Sequence, residues 1–218
     1  MKVRWPRSRP AVIPGASIGD LVDETSTDAE TGAVTSRQVA DIVLPAKALV
    51  GLWDPEHLER VARTYWTTLQ RFTLGLLHVH YTAGERAIVL VIPQLRLLTF
   101  KAPEYEMDEC HGIVRWRIEK GLLVSRRGTG GDGYLEIDIH RHDETAEGKV
   151  RLRVGVEVAN YYPRLGGMSR RLYSATQSRI HVISCNYFLR RLVRRDLSPS
   201  KVGHFAGPAS AEQAPDPS

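Results

Sequence analysis

The chain has 218 residues, 42% of them hydrophobic and 25% charged, which suits one folded domain with irregular ends. This composition excludes collagen-like, coiled-coil and wholly disordered chains. The formal net charge is +5 and 24 of the 30 basic residues are arginine, but no known nucleic-acid-binding motif accompanies them, which argues against a nucleic-acid partner.

Composition divides the chain into three parts. Residues 1–35 are rich in Pro, Ser, Thr, Asp and Gly, which predicts a flexible N-terminal arm. Residues 197–218 share this bias and predict a disordered tail. The folded domain then covers 36–196, and its first predicted element is a strand at 38–44.

A helix is predicted over 54–73. Asp54 can cap its N-terminus, Pro55 suits the first helical position, and Glu56 complements the helix dipole. Apolar and aromatic residues recur at helical spacing through this segment and predict one buried stripe. The stripe consists of Leu58, Val61, Ala62, Tyr65, Leu69 and Phe72.

After this helix the apolar period changes from 3.6 residues to 2, which predicts consecutive strands. Alternating or continuous apolar residues mark seven of them. They are 77–81, 87–92, 95–100, 113–118, 122–126, 135–140 and 150–158. The glycine-rich segment 127–133 is predicted to be a flexible hairpin loop.

The last two predicted strands alternate apolar with charged residues. With a symmetric loop between them, Ile139 lies opposite Leu152, and Asp138 lies opposite Arg153. Opposite charges then face each other on one side while the other side is wholly apolar. This is typical of an antiparallel sheet with one buried and one solvated face.

A long C-terminal helix is predicted over 169–196, because that range contains neither Pro nor Gly. Its apolar residues fall into two stripes. The first stripe is Leu172, Thr176, Ile180, Ile183 and Tyr187, and the second is Val182, Leu189 and Val193.

The predicted fold class is α+β: a curved antiparallel sheet of about seven strands gripping a long C-terminal helix, with one helix before the sheet. This order, with LYSATQSRIHVISCNYFLRRL in the terminal helix, resembles the START-like helix-grip superfamily. That superfamily includes polyketide cyclases, aromatase-like domains and birch-pollen-allergen-like proteins. The resemblance covers 36–196 and lies in element order. It implies a cavity between sheet and terminal helix that binds a hydrophobic or amphipathic small molecule.

Polar and aromatic residues on otherwise apolar faces are the candidate ligand contacts. They are Tyr81, Thr99, Trp116, Arg126, Arg179 and Tyr187. No catalytic residue is assigned. One alternative is a cyclase- or aromatase-like enzyme in the same cavity, where Arg126 or Arg179 would stabilise an enolate. The other is a structural module without a ligand that forms a homodimer through 87–92.

Two histidine pairs raise the question of a metal. His78-Val-His80, followed by Glu85, resembles the first metal-binding motif of cupins, although the glycines and the second histidine motif of that family are missing. His140-Arg-His142 repeats the pattern near a hairpin end. Solvated histidines on strand faces explain both pairs, so the sequence assigns no metal site and no cofactor.

Cysteine usage and apolar runs predict a cytoplasmic protein. Cys110 and Cys185 stand far apart and outside any CxxC pattern, which favours a reducing compartment. The N-terminal residues lack the apolar core of a signal peptide. The longest apolar runs, such as 87–93, are much shorter than the roughly 20 residues of a membrane span. We therefore expect no membrane span.

Overall fold

The computed structural model describes residues 12–81, 85–90, 95–162 and 183–200. Within these ranges the chain forms ten strands and two α-helices. The helices are α1 (Pro55–Phe72) and α2, which is described over 183–193. The strands are β1 (Ser17–Ile18), β2 (Val22–Thr27), β3 (Val34–Pro45), β4 (Leu77–Tyr81), β5 (Glu85–Leu90), β6 (Arg96–Lys101), β7 (Glu104–Met107), β8 (His111–Lys120), β9 (Tyr134–Arg141) and β10 (Lys149–Tyr161).

The strands form one large antiparallel sheet in the order β1-β3-β10-β9-β8-β6-β5-β4, with β2 added on β3 and β7 on β8. The predicted α+β class is thus confirmed, but the count of about seven strands is too low. The structure places β1 and β2 within the segment predicted as a flexible arm, so part of that segment pairs with β3. The boundaries of arm, domain and tail stay a prediction.

The strand predicted at 122–126 is wrong. Gly121 turns the chain with φ 153, and a Cβ there would clash with the carbonyl oxygen of Leu97. The backbone amides after this turn donate to carbonyls of β6, and a short 3-10 helix follows at Arg126–Gly128. The segment therefore crosses the end of β6 and does not form a hairpin with β8.

The helix α1 forms as predicted because its local signals agree. The Asp54 side chain accepts a hydrogen bond from the backbone N–H of His57 at 2.8 Å, and Pro55 occupies the first turn. The buried residues of α1 include five of the six predicted ones, together with Trp66. This helix therefore packs one continuous side against the sheet.

Replacing Asp54 with alanine should lower the free energy of unfolding by about 1 kcal/mol, because α1 loses its N-terminal cap. Hydrogen bonding from the His57 amide lowers the pKa of Asp54 in the folded state. The resulting stabilisation is complete above the unfolded-state pKa of about 3.9 and is lost as pH falls through the lower folded-state value. Urea unfolding at neutral and acidic pH measures both effects.

The control for this prediction is Asp54→Asn. Asparagine caps helices about as well as aspartate, so this variant should retain most of the stability at neutral pH but lose the dependence on acid. Equal destabilisation by both substitutions would contradict the assignment of the effect to capping.

The β9 strand alternates buried with half-buried residues, and in β10 Val150, Val154 and Val156 are buried while Arg151 and Arg153 are exposed, which agrees with one apolar and one solvated face. The β8 strand shows the same alternation. The apolar inner face includes Val114, Trp116 and Ile118, all fully buried. Both helices pack on this face. Trp66 of α1 contacts Trp116, with ring centroids 5.1 Å apart, and Phe188 of α2 contacts α1 in the same core.

The predicted register of the β9–β10 hairpin is wrong by two residues. Asp138 lies opposite Gly155 rather than Arg153, and the other pairs shift equally. The cause is a tight turn at 145–148, in which Gly148 adopts φ 68, so the chain reverses one residue later than a symmetric loop requires. Because the shift is two residues, each side chain keeps its predicted face.

The outer face therefore pairs its charges differently from the prediction. Glu136 of β9 pairs with Arg115 of β8 rather than with an arginine of β10, and the guanidinium lies 2.6 Å from the carboxylate. Burial raises the pKa of Glu136, and the contact with Arg115 opposes that shift. Glu136 is thus a structural partner of Arg115.

The described part of α2 ends at 193, and the predicted residues before 183 lie outside the described ranges. Arg195 adopts φ 50, and the N–H of Asp196 donates to the carbonyl of Arg191 at 3.0 Å, which is the Schellman pattern of a helix end. The Asp196 carboxylate accepts a hydrogen bond from the buried Arg191 side chain, with Nε and Oδ2 2.8 Å apart. This contact fixes the end of α2.

Candidate functional site

A pocket of about 330 Å³ lies between α1, the inner face of the sheet and the start of the described part of α2. Its lining is mostly aliphatic and aromatic, and three of the lining residues carry a hydroxyl group. The lining residues are Tyr65, Trp66, Leu69, Leu77, Ile88, Leu97, Leu98, Phe100, Ile118, Leu123, Leu135, Val158, Tyr161 and Ser184.

Aromatic rings form one wall of this pocket. The Trp66 ring centroid lies 5.5 Å from that of Phe100 and 5.1 Å from that of Trp116, which supports the wall from behind. The indole Nε1 of Trp66 is buried and has no hydrogen-bond partner among the described residues. A buried donor without a partner costs about 1–3 kcal/mol.

Hydroxyl and thiol groups gather where α1 and α2 meet. Burial raises the pKa of Tyr65 well above its usual value, and the nearby Cys185 adds to the shift, so the phenol stays protonated at neutral pH and can donate a hydrogen bond. Burial likewise raises the pKa of the Cys185 thiol, which is therefore unreactive. The hydroxyl of Tyr161 donates to the carbonyl of Leu123 at 2.7 Å.

The structure separates the predicted ligand contacts. Trp116 is buried behind Trp66 rather than on the pocket surface. Thr99 is fully buried outside the lining, and its Oγ1 has no hydrogen-bond partner among the described residues. Arg126 is exposed in the turn after β8, and Tyr187 is 58% exposed on α2.

Two further predicted contacts, Arg179 and the side chain of Tyr81, fall outside the described part of the chain. Whether any of the six predicted residues contacts a ligand stays a prediction. The exposed position of Arg126 does not suit the enolate-stabilising role that the enzyme alternative gave it.

The first predicted stripe of the terminal helix does not face the core in the described part of α2. Ile183 and Tyr187 are exposed, whereas Cys185, Phe188 and Leu189 are buried. The sequence carries two apolar stripes of similar strength, and only the packing against α1 decides which one is buried in the described part of α2. The second predicted stripe, which contains Leu189 and Val193, is therefore the correct one in this part of the helix.

Sequence reasoning missed Trp66 as a pocket residue. It lies beside Tyr65 and four residues after Ala62 in α1, so a wider definition of the apolar stripe would have included it. Tyr161 and Ser184 carry no such signal, because they reach the pocket only through the pairing of β10 and the docking of α2.

Two other predictions depend on the faces of β4 and β5. His78 and His80 are exposed on β4, where Val89 and Ala87 lie opposite them on β5, so the neighbouring strand adds no metal ligand across from either histidine. The side chains of Ala87 and Val89 are themselves buried within the single chain. Among the described residues of the run 87–92, Ile88 is buried as well and Leu90 is half-buried, and a homodimer through this run stays a prediction.

No helix in the described part of the chain is both long and apolar enough to cross a lipid bilayer.

The sequence matches no known protein family and no curated protein. Several solved structures are similar to this chain, among them the following three. A protein from Arthrobacter aurescens has 14% identity over 84% of this chain and 98% of its own, with a TM-score of 0.36. CalU16 from Micromonospora echinospora has 8% identity over 81% and 92%, with a TM-score of 0.28, and Ara h 8.0201 has 10% identity over 80% and 99%, with a TM-score of 0.27. These values are too low to assign the chain to a family.

Proposed function

We propose that this chain binds one hydrophobic or amphipathic small molecule in the pocket between the sheet and the helices. The observation that carries the proposal is the apolar pocket of about 330 Å³. Ligand pockets commonly have volumes of about 300–1,000 Å³ and apolar walls with a few well-placed polar groups. The pocket therefore has room for a small, compact ligand.

The polar groups of the wall indicate the chemistry of this ligand. No charged side chain is among the described residues of the lining, so an ionised group would lose its hydration without gaining a counter-ion. Tyr65 and Ser184 carry hydroxyl groups on this otherwise apolar lining, and the Tyr65 hydroxyl is protonated at neutral pH. An uncharged molecule with one or two acceptor oxygens fits this combination best.

Filling the pocket tests the proposal. Leu123 lines the pocket, whereas its neighbour Leu122 is 48% exposed and does not line it. We expect Leu123→Trp to weaken the binding of Nile red, an uncharged hydrophobic dye, by more than about tenfold, because the indole occupies the ligand's space. Leu122→Trp should bind the dye as the unchanged protein does. A fluorescence titration at fixed dye concentration measures both.

Two further measurements accompany the dye titration: one checks that each variant is folded, and the other looks for a ligand that co-purifies with the protein. Thermal unfolding of each variant shows whether the pocket is filled within a folded protein, since overpacking costs about 1–3 kcal/mol. Native mass spectrometry of the unchanged protein shows whether a small molecule of uncharged, oxygen-containing type co-purifies with it. Dye binding that is equal in both folded variants, or that never saturates near one equivalent, would count against the pocket as a binding site.

A further inference from the structure

A cluster of cysteine and histidine side chains lies on the outer face of the sheet, away from the pocket. His111 begins β8 and lies directly opposite His140 on β9, and Cys110 immediately precedes β8. One ligating atom from each of these three residues lies within 4.8 Å of the other two. The imidazole rings stack with centroids 4.2 Å apart, and the Cys110 Sγ is 3.4 Å from His111 Nδ1.

The backbone holds these three side chains together. Asp108 Oδ1 accepts hydrogen bonds from the backbone N–H of Cys110 at 2.8 Å and of His111 at 2.7 Å. The backbone N–H of Arg141 donates to the carbonyl of Cys110 at 2.7 Å, which ties this turn to β9. The cluster is therefore built on two paired strands and one hydrogen-bonded turn, so little ordering is needed when it binds an ion.

A third imidazole extends the cluster. His142 contacts His140 edge to face, with ring centroids 4.4 Å apart. The Nε2 atom of His142 is buried and has no hydrogen-bond partner among the described residues. Arg153 of β10 lies opposite His140, and the carbonyl of Arg151 accepts a hydrogen bond from the backbone N–H of His142. These two positive charges disfavour a bound cation, whereas the carboxylate of Asp108, close to His111, favours one. The cluster thus combines three imidazoles, one thiol and one carboxylate.

We propose that Cys110, His111 and His140 bind a divalent transition-metal ion of the zinc type, with His142 packed against His140 as a positioning residue. One thiolate and two imidazoles are borderline-soft ligands, which zinc, cobalt and nickel prefer and which magnesium and calcium do not. Binding moves the thiol proton of Cys110 to solvent. Three protein ligands leave a fourth tetrahedral position, which water can occupy because Cys110 is exposed.

This site joins residues that are distant in sequence. The His140-Arg-His142 pattern is visible in the sequence, but His111 comes from the other strand of the pair and Cys110 from the turn before that strand. The site lies on the opposite face of the sheet from the pocket. Metal binding at this site therefore does not depend on ligand binding in the pocket.

Titration of the reduced, tag-free protein with cobalt(II) tests the proposal. We expect saturation near one equivalent, a thiolate-to-cobalt charge-transfer absorption in the near ultraviolet, and displacement of cobalt by zinc. Cys110→Ser should abolish this absorption, and Cys110→Ser and His140→Asn should each weaken binding by more than about tenfold. Zinc should raise the thermal midpoint of the unchanged protein but not that of Cys110→Ser.

The double variant His78→Asn, His80→Asn is the matched control, because it removes an exposed histidine pair of the same spacing on β4. It should bind cobalt like the unchanged protein. Loss of binding in this control, or cobalt binding that Cys110→Ser leaves unchanged, would overturn the site. Absence of saturable binding would overturn it as well. Cys110 is exposed, so its serine variant should fold, and circular dichroism checks this.

Discussion

Replacing Trp116 with alanine should lower the free energy of unfolding by about 3–5 kcal/mol, the range measured for large aromatic residues in protein cores. The Trp116 side chain is only 1% exposed and contacts the Trp66 ring at 5.1 Å. Its neighbours on the same face, Val114 and Ile118, are held in the middle of the sheet and cannot move into the space. A cavity therefore remains, and the urea midpoint should fall sharply.

Tyr187→Ala is the control for this prediction. Tyr187 is another large aromatic residue, but it is 58% exposed on α2. Its removal should change the free energy of unfolding by no more than about 0.5 kcal/mol. Similar losses for the two variants, or a loss below about 1 kcal/mol for Trp116→Ala, would contradict the central position of Trp116 in the core.

Replacing Arg191 with alanine should destabilise the protein by about 3 kcal/mol. The Arg191 guanidinium is 4% exposed and binds Asp196 Oδ2 at 2.8 Å. Its NH1 group also contacts three groups of α1: the carbonyl of Thr64 at 3.3 Å and the hydroxyls of Thr67 and Thr68 at 3.2 and 3.0 Å. Alanine removes the ion pair with Asp196 and the hydrogen bonds that join this end of α2 to α1.

The neighbouring residue provides the matched control, since Arg190 is exposed on the same turn of α2. Arg190→Ala removes the same charge and should cost no more than about 0.5 kcal/mol. Urea unfolding of the two variants at the same pH gives the comparison. If both cost the same, net charge and not the buried contacts would account for the effect.

Elements whose signals lie within one segment are predictable from the sequence, whereas elements that depend on pairing with a distant segment are not. The helix α1 was predictable because Asp54, Pro55 and the apolar stripe all lie within one segment. By contrast, β2 is exposed along its whole length and is mainly polar, so it carries no period-2 apolar pattern. It forms because its backbone pairs with β3, over Val22–Thr27, and no local pattern reports that pairing.

The candidate sites depend still more on distant contacts. The pocket lies between α1, six different strands and α2, so the stripe on α1 predicts only part of its wall. The choice between two similar stripes on α2 depends on how Phe188 meets Tyr65, at 5.6 Å. The cysteine and histidine cluster requires the register that puts His111 opposite His140. Sequence spacing alone does not determine any of these three arrangements.

The pairing of β3 with β10 has a consequence for synthesis of the chain. β3 ends at Pro45 and its partner β10 begins at Lys149, so β4 to β9 leave the ribosome before the two can meet. Joining such distant segments costs chain entropy and slows folding. During that interval the edge of β3 not covered by β1 and β2 exposes free backbone N–H and C=O groups, which can pair with other nascent chains. Truncated products that lack β10 should therefore be prone to aggregation.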